Sequence, residues 1–209
     1  MRNSQAQVYF NQLAEVLKVT PVKDNTYLNL EVVEFPLRIG YIDKMIADCK
    51  RPILELKLNS TFLTATECLV VASNERVREL RSLDLSCNPI TAVGLLNLVH
   101  PRRSCFDKLI SLTLFNCEID YTQAYLISND NLEECRCSFQ LRELNMSHNK
   151  LSFFLNYITE LGLINVYLEK LQLVDCNLDD EQILSLAESK KLSQIATLDL
   201  SENLIERNF

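Results

Sequence analysis

Glycine is scarce in this chain: Gly40, Gly94 and Gly162 are the three among 209 residues. Loops that cradle phosphate on bare backbone need several glycines close together, so that class of site is not expected. Histidine is scarcer still, with His100 and His148 alone, which leaves few imidazoles for metal binding or proton transfer. No apolar run approaches the roughly eighteen residues needed to cross a bilayer. The opening Met-Arg-Asn-Ser-Gln-Ala-Gln lacks the apolar heart of a secretory signal, so the expected location is cytoplasmic. Positive charge is short as well. The 21 Lys and Arg face 28 Asp and Glu, for a net charge of −7, with no basic tract longer than a pair such as Arg102-Arg103. A phosphate backbone would be repelled on average, so nucleic acid is not the expected partner, and without a spanning run neither is a membrane.

What the chain has in quantity is leucine at fixed intervals. Leu80-Arg-Ser-Leu83-Asp-Leu85-Ser-Cys-Asn88-Pro-Ile90 spells L-x-x-L-x-L-x-x-N-x-I, and the spelling recurs. Aligned on the fourth position, the copies start at Leu28, Leu56, Leu83, Leu112, Leu144, Leu171 and Leu198, spaced 28, 27, 29, 32, 27 and 27 residues apart. Alternation through pairs such as Leu83/Leu85 and Leu171/Leu173 predicts a short strand with both leucines on one face. Helical spacing follows each strand: Ile42, Met45 and Ile46; Cys68, Leu69, Val71 and Ala72; Leu95, Leu96, Leu98 and Val99; Ile183, Leu184, Leu186 and Ala187. Thr91 and Asp179 or Asp180 are the expected caps of the last two. One strand and one helix cannot bury an apolar face alone, whereas stacked copies can, so the unit is a solenoid.

This pattern resembles the ribonuclease inhibitor-like class of leucine-rich repeats over about residues 25–205. The resemblance implies a right-handed α/β solenoid, or horseshoe, with parallel strands concave and helices convex. Residues 1–24, with Val8, Phe10, Leu13, Val16 and Leu17 on one side, are expected as an N-terminal helical cap. Residues 25–209 then form about seven repeats, the last incomplete. The resemblance also implies that the ninth position turns inward to bond backbone groups. It holds Asn88, Asn149 and Asn203, but Thr61, Cys117 and Cys176 in other copies and Val33 in the first. A thiol is a small, weak donor that tolerates burial, so Cys117 and Cys176 are read as structural.

The eight cysteines are expected as reduced thiols. Cys135-x-Cys137 has the wrong spacing for a zinc pair or a C-x-x-C redox couple. It falls in the irregular 127–139 stretch, which carries the surplus of the 32-residue interval and is expected as a loop. No cofactor, metal or catalytic residue is therefore expected, although His148 shares a column with Asp175 and Glu202 on the following repeats. Most residues expected on the open strand face are small or polar. Phe115 is the exception, and aromatics there mark binding hot spots. A protein-binding surface is expected around Phe115 with Lys57, Arg81, Arg142 and His148. The C-terminal end, where Leu198-Asp-Leu200 precedes Leu204, Ile205 and Phe209, is expected to leave an open edge. A further repeat of a longer chain, a partner, a second copy or a fold-back of those apolar residues would cover it.

The function these observations support is a non-enzymatic scaffold that binds a protein. The same repeat class also contains cytoskeletal or axonemal components, activators of Ran-type GTPases and substrate receptors of ubiquitin ligases, and the repeats alone do not choose among them.

Overall fold

The computed structural model describes residues 28–33, 39–49, 51–120, 137 and 139–206. The expected helical cap over 1–24, Cys135 and Phe209 lie outside these residues. Each L-x-L pair forms a strand: β1 (Leu28–Val33), β2 (Ile53–Asn59), β3 (Ser82–Asp84), β4 (Ser111–Thr113), β5 (Glu143–Asn145), β6 (Lys170–Gln172) and β7 (Thr197–Asp199). They make one parallel sheet in sequence order. Register is conserved from copy to copy, with Leu56, Leu83, Leu112, Leu144, Leu171 and Leu198 aligned side by side. The seven-unit α/β leucine-rich-repeat solenoid is thus present.

Helices return the chain between strands: α1 (Ile39–Asp48), α2 (Ala65–Ser73), α3 (Thr91–Val99), α4 (Leu155–Glu160) and α5 (Asp180–Glu188). None is long and apolar enough to cross a membrane. Their inner stripes meet the strand leucines in one continuous core, from Ile42 and Met45 through Leu95 and Val99 to Leu155, Ile158 and Leu186. Gly94 lets α3 lie close to α2. A methyl group there would come within 2.5 Å of the Ile90 Cγ2 and 3.2 Å of the Ala65 Cα. Two expectations need correction. Leu184 is 60% exposed and Ala187 is also exposed, because α5 turns Leu186 and Ile183 inward instead. Thr91 does not cap α3: it is the first helical residue, with φ 65°, and Ile90 before it makes no side-chain capping bond. Asp179 does cap α5, in a reciprocal box with Gln182, and Thr64 caps α2 likewise with Glu67.

The ninth position ties neighbouring repeats together. Asn88 accepts at Oδ1 from the backbone N–H groups of Thr61 (2.8 Å) and Leu63 (3.0 Å), and its Nδ2 donates to the carbonyls of Leu58 and Leu85. Asn149 does the same for Cys117, Ile119, Leu114 and Met146. Asn203 repeats it for Cys176, Leu178, Leu173 and Leu200. Where cysteine replaces asparagine, the thiol donates to the preceding repeat: Cys117 to the Leu85 carbonyl (3.3 Å) and Cys176 to that of Met146 (3.4 Å). The thiols therefore take the donor half of asparagine's work, as expected.

Asparagine and its substitutes alternate, and the backbone alternates with them. The eighth residue has positive φ in every copy from the second onward: Ser60, Cys87, Asn116, His148, Asp175 and Glu202. Among the described residues, the tenth does so in Phe62, Glu118 and Asn177 alone. Those are the copies whose ninth and eleventh N–H groups converge on the next repeat's asparagine oxygen. Two left-handed residues flanking the ninth turn both N–H groups toward one acceptor. In the third copy Pro89 holds the tenth φ negative.

The 32-residue interval differs from expectation at its end. Phe139 is not part of a surface loop; it is buried, with its ring edge-on to Phe106 at 6.3 Å between centroids. At the far end of the sheet, Leu198 is 42% exposed where Leu171 beside it is fully buried. The Leu204 N–H donates to the Leu178 carbonyl (2.8 Å), yet Leu204 and Ile205 stay exposed, so they do not cover the edge.

Two stability experiments follow. Asn149→Ala strands two buried N–H groups and two carbonyls, so it should cost about 3 kcal/mol, whereas Cys176→Ala, losing one weak donor, should cost about 1 kcal/mol. Urea unfolding of the two variants measures the difference. The second experiment concerns pH. Burial, the largest cause, pushes the Cys49 and Cys176 thiols from 9.0 to about 11 and that of Cys117 to about 12, and raises Cys68 as well. Above pH 9 the unfolded chain sheds thiol protons that the folded chain keeps. Their contribution is therefore complete below pH 9 and is lost as pH rises through 11 and 12. Unfolding free energy should fall above pH 9, and Cys117→Ala should make that fall shallower.

Candidate protein-binding face

Residues between the core leucines point to the face of the sheet away from the helices. Their backbone is fixed by the ladder. At the strand C-terminal ends, the N–H of each eighth residue donates to the seventh carbonyl of the next copy: Cys87 to Phe115 (2.8 Å), Asn116 to Ser147 (2.9 Å), His148 to Val174 (2.8 Å) and Asp175 to Ser201 (3.0 Å). This continues the sheet past its assigned strands and holds a row of side chains at that rim.

Phe115 occupies the seventh position of the fourth copy and is half-buried. Its ring lies edge-on to the His148 ring, with centroids 4.6 Å apart and planes at 65°. His148 Nδ1 is in turn 3.0 Å from Asp175 Oδ2. An ionised carboxylate only accepts, so the bond places a proton on Nδ1. The result is a three-copy chain of contacts, aromatic to imidazole to carboxylate, running across the repeats. An edge-on aromatic pair favours a defined ring position over a mobile one.

The other three residues expected near Phe115 lie elsewhere. Arg81 and Arg142 hold the second position, just before β3 and β5. Five residues along a strand separate that position from Phe115's, about 16 Å at 3.3 Å per residue. Arg142 also pairs with Glu169 across the repeats, Nη1 to Oε1 at 2.8 Å. Lys57 sits mid-strand in the second copy, in register with Asp84, whose carboxylate takes a hydrogen bond from the Asn59 amide at 3.1 Å. The structure therefore brings together Phe115 and His148 and places the three cations apart from them.

The eighth column contains residue types that hydrolases use: Cys87, His148 and Asp175. Cys87 and His148 are two strands apart, about 10 Å, with Asn116 between them. A thiol at that distance cannot pass its proton directly to the imidazole, which requires about 3 Å. Among the described residues, no group of three His, Cys, Asp or Glu side chains is arranged to hold a metal ion.

Reading along columns would have found two features that the face-by-face reading missed. Position eight is a left-handed column that no glycine marks, so its signal lies in the fixed offset from the leucines. Phe62, two positions further on in the second copy, is 66% exposed at φ 59°, although both its neighbours, Thr61 and Leu63, are buried.

Two family models match, one described as Leucine Rich repeat over residues 78–99 and one as Leucine Rich Repeat over 140–161. Each span covers one copy with asparagine at its ninth position. No curated protein matches the chain. Among solved structures, the fold is similar to the tropomodulin C-terminal domain from Caenorhabditis elegans, at 14% identity and a TM-score of 0.42, covering 90% of this chain and 94% of that one. The repeat spelling, the parallel sheet with its ninth-position ladder and the two repeat matches together make this chain a leucine-rich repeat protein.

Proposed function

We propose that this protein is a non-enzymatic scaffold that recognises another protein through the open face of its sheet and the adjoining rim, with Phe115 and His148 at the centre. Leucine-rich repeat domains generally mediate protein–protein interaction. Phe115 is the observation that carries the finer reading. Its equivalents in the neighbouring copies are Ser86, Ser147, Val174 and Ser201, all smaller, so the solenoid does not need an aromatic there. A phenyl ring that is held edge-on and only half-buried retains apolar area to give to a partner. Cys49, Cys68, Cys87, Cys105, Cys117 and Cys176 carry free thiols, which supports a reducing, cytoplasmic location. Residues 1–24 would shield the first repeat as a cap, and Lys57, Arg81 and Arg142 would make outlying contacts.

Phe115→Ala should reduce recovery of the native partner in affinity capture by tenfold or more, with the thermal unfolding midpoint within about 3 °C of the parent. Capture compared by quantitative mass spectrometry measures the first and differential scanning fluorimetry the second. Unchanged recovery together with a large loss of stability would assign Phe115 to the core instead.

A further inference from the structure

Phe62 combines two unfavourable features. A bulky side chain in the left-handed region is a genuine outlier, and this one leaves 66% of its surface in water at φ 59°. The backbone is not free to relieve it, because the N–H groups on either side, of Thr61 and Leu63, both donate to Asn88 Oδ1. The equivalent left-handed residues of the fourth and sixth copies are Glu118 and Asn177, both polar and exposed. The fold thus accepts a polar residue at this position, and the phenylalanine contributes nothing to the core.

The rim beside Phe62 carries further apolar side chains, with exposed Asn116 and Glu118 among them. Exposed Cys87 and half-buried Pro89 follow in the third copy, and Phe115 in the fourth. Toward the other end it becomes acidic. Asp175 and Glu202 are exposed on the sixth and seventh copies, Asp199 is half-buried beside them, and positions five to ten of both copies contain no Lys or Arg. From the second copy to the seventh is five inter-strand steps, about 24 Å, which an extended segment of about seven residues covers.

We propose that this rim binds an extended peptide segment of a partner protein, laid across the strand ends, with large apolar residues against Phe62, Pro89 and Phe115 and Lys or Arg against Asp175 and Glu202. The proposal rests on the reading that the strand side of the protein meets a partner, and it names the occupant. Apolar burial at one end supplies affinity, and charge at the other sets direction and register. Exposed Leu204 beside Glu202 gives the aliphatic stem of a lysine or arginine a surface to lie on.

The test uses labelled nine-residue synthetic peptides with the chain at physiological salt. Two carry a leucine-phenylalanine block and a lysine-arginine block in either order, and two controls replace the basic block by glutamates. One basic-block peptide should bind at least tenfold more tightly than both controls by fluorescence anisotropy. Phe62→Asn should weaken that peptide fivefold or more while raising the unfolding midpoint by about 2–4 °C, since asparagine tolerates the left-handed region. A merely structural residue would not give that opposition, and Phe62→Gly serves as a second variant. Asp175→Lys with Glu202→Lys should reverse the preference toward the acidic peptides. Equal binding of all four peptides, no binding at 1 mM, or full affinity in Phe62→Asn overturns the proposal. If partner capture still depends on Phe115 in those cases, the face reading stands and only the rim assignment falls.

Discussion

The asparagine amide at the ninth position is the interaction on which the other elements depend. Where the chain leaves a strand, its backbone groups no longer have the next strand as a partner, yet they remain in the interior. Unpaired, each would cost about 1–3 kcal/mol. An amide side chain carries both a donor and an acceptor, so Asn88, Asn149 and Asn203 satisfy N–H and C=O groups of two repeats at once. Packing of the leucines brings repeats together without fixing how one meets the next. The amide fixes that.

Cysteine supplies only a donor, and the consequence spreads through the copy that precedes it. Before an asparagine copy, two N–H groups converge on one oxygen and the tenth residue goes left-handed, as at Phe62, Glu118 and Asn177. Before a cysteine copy, N–H groups bond backbone carbonyls instead: Ile90 donates to that of Asn88, and Thr91 and Leu151 donate to those of Cys117 and Cys176. The helix entries differ in step. Thr64 and Asp179 form capping boxes in the second and sixth copies, while α3 and α4 of the third and fifth begin without one. Neighbouring copies are therefore unlike each other, and the structural repeat is a pair.

Much of this was legible in the sequence. Leucines at a period of two inside a period of about 28 have one physical solution, so strand number, order and register followed directly. The role of Cys117 and Cys176 was legible too, because a buried thiol can donate where an amide does. Other features were not. Thr91 reads as a cap by residue type, but it is the first helical residue with a left-handed φ, whereas the caps Thr64 and Asp179 are extended. Leu184 satisfies helical spacing, yet the rotation of α5 was set by Leu186, which spacing alone did not single out. For the candidate site, naming the open face was straightforward, and Phe115 stood out on it. Arg81 and Arg142 precede their strands, whereas Phe115 follows its own. Residues on one face of a strand can still lie at opposite ends of it.

The same geometry says what kind of site such a protein builds most readily. Each column contributes one side chain every 4.8 Å or so, the spacing between strands. Neighbouring copies touch, as eighth-position His148 and Asp175 do within one column and seventh-position Phe115 does with His148. A third group cannot reach back to the first, so Cys87 and His148 share a column without sharing a proton. Chemistry needs several groups converging on one atom, whereas a column offers a line of contacts whose character changes gradually along it. In this chain the proposed rim crosses columns, with apolar Phe62, Pro89 and Phe115 at one end and acidic Asp175 and Glu202 at the other. A linear gradient of that kind discriminates between extended ligands by sequence and direction, which is a property suited to recognition.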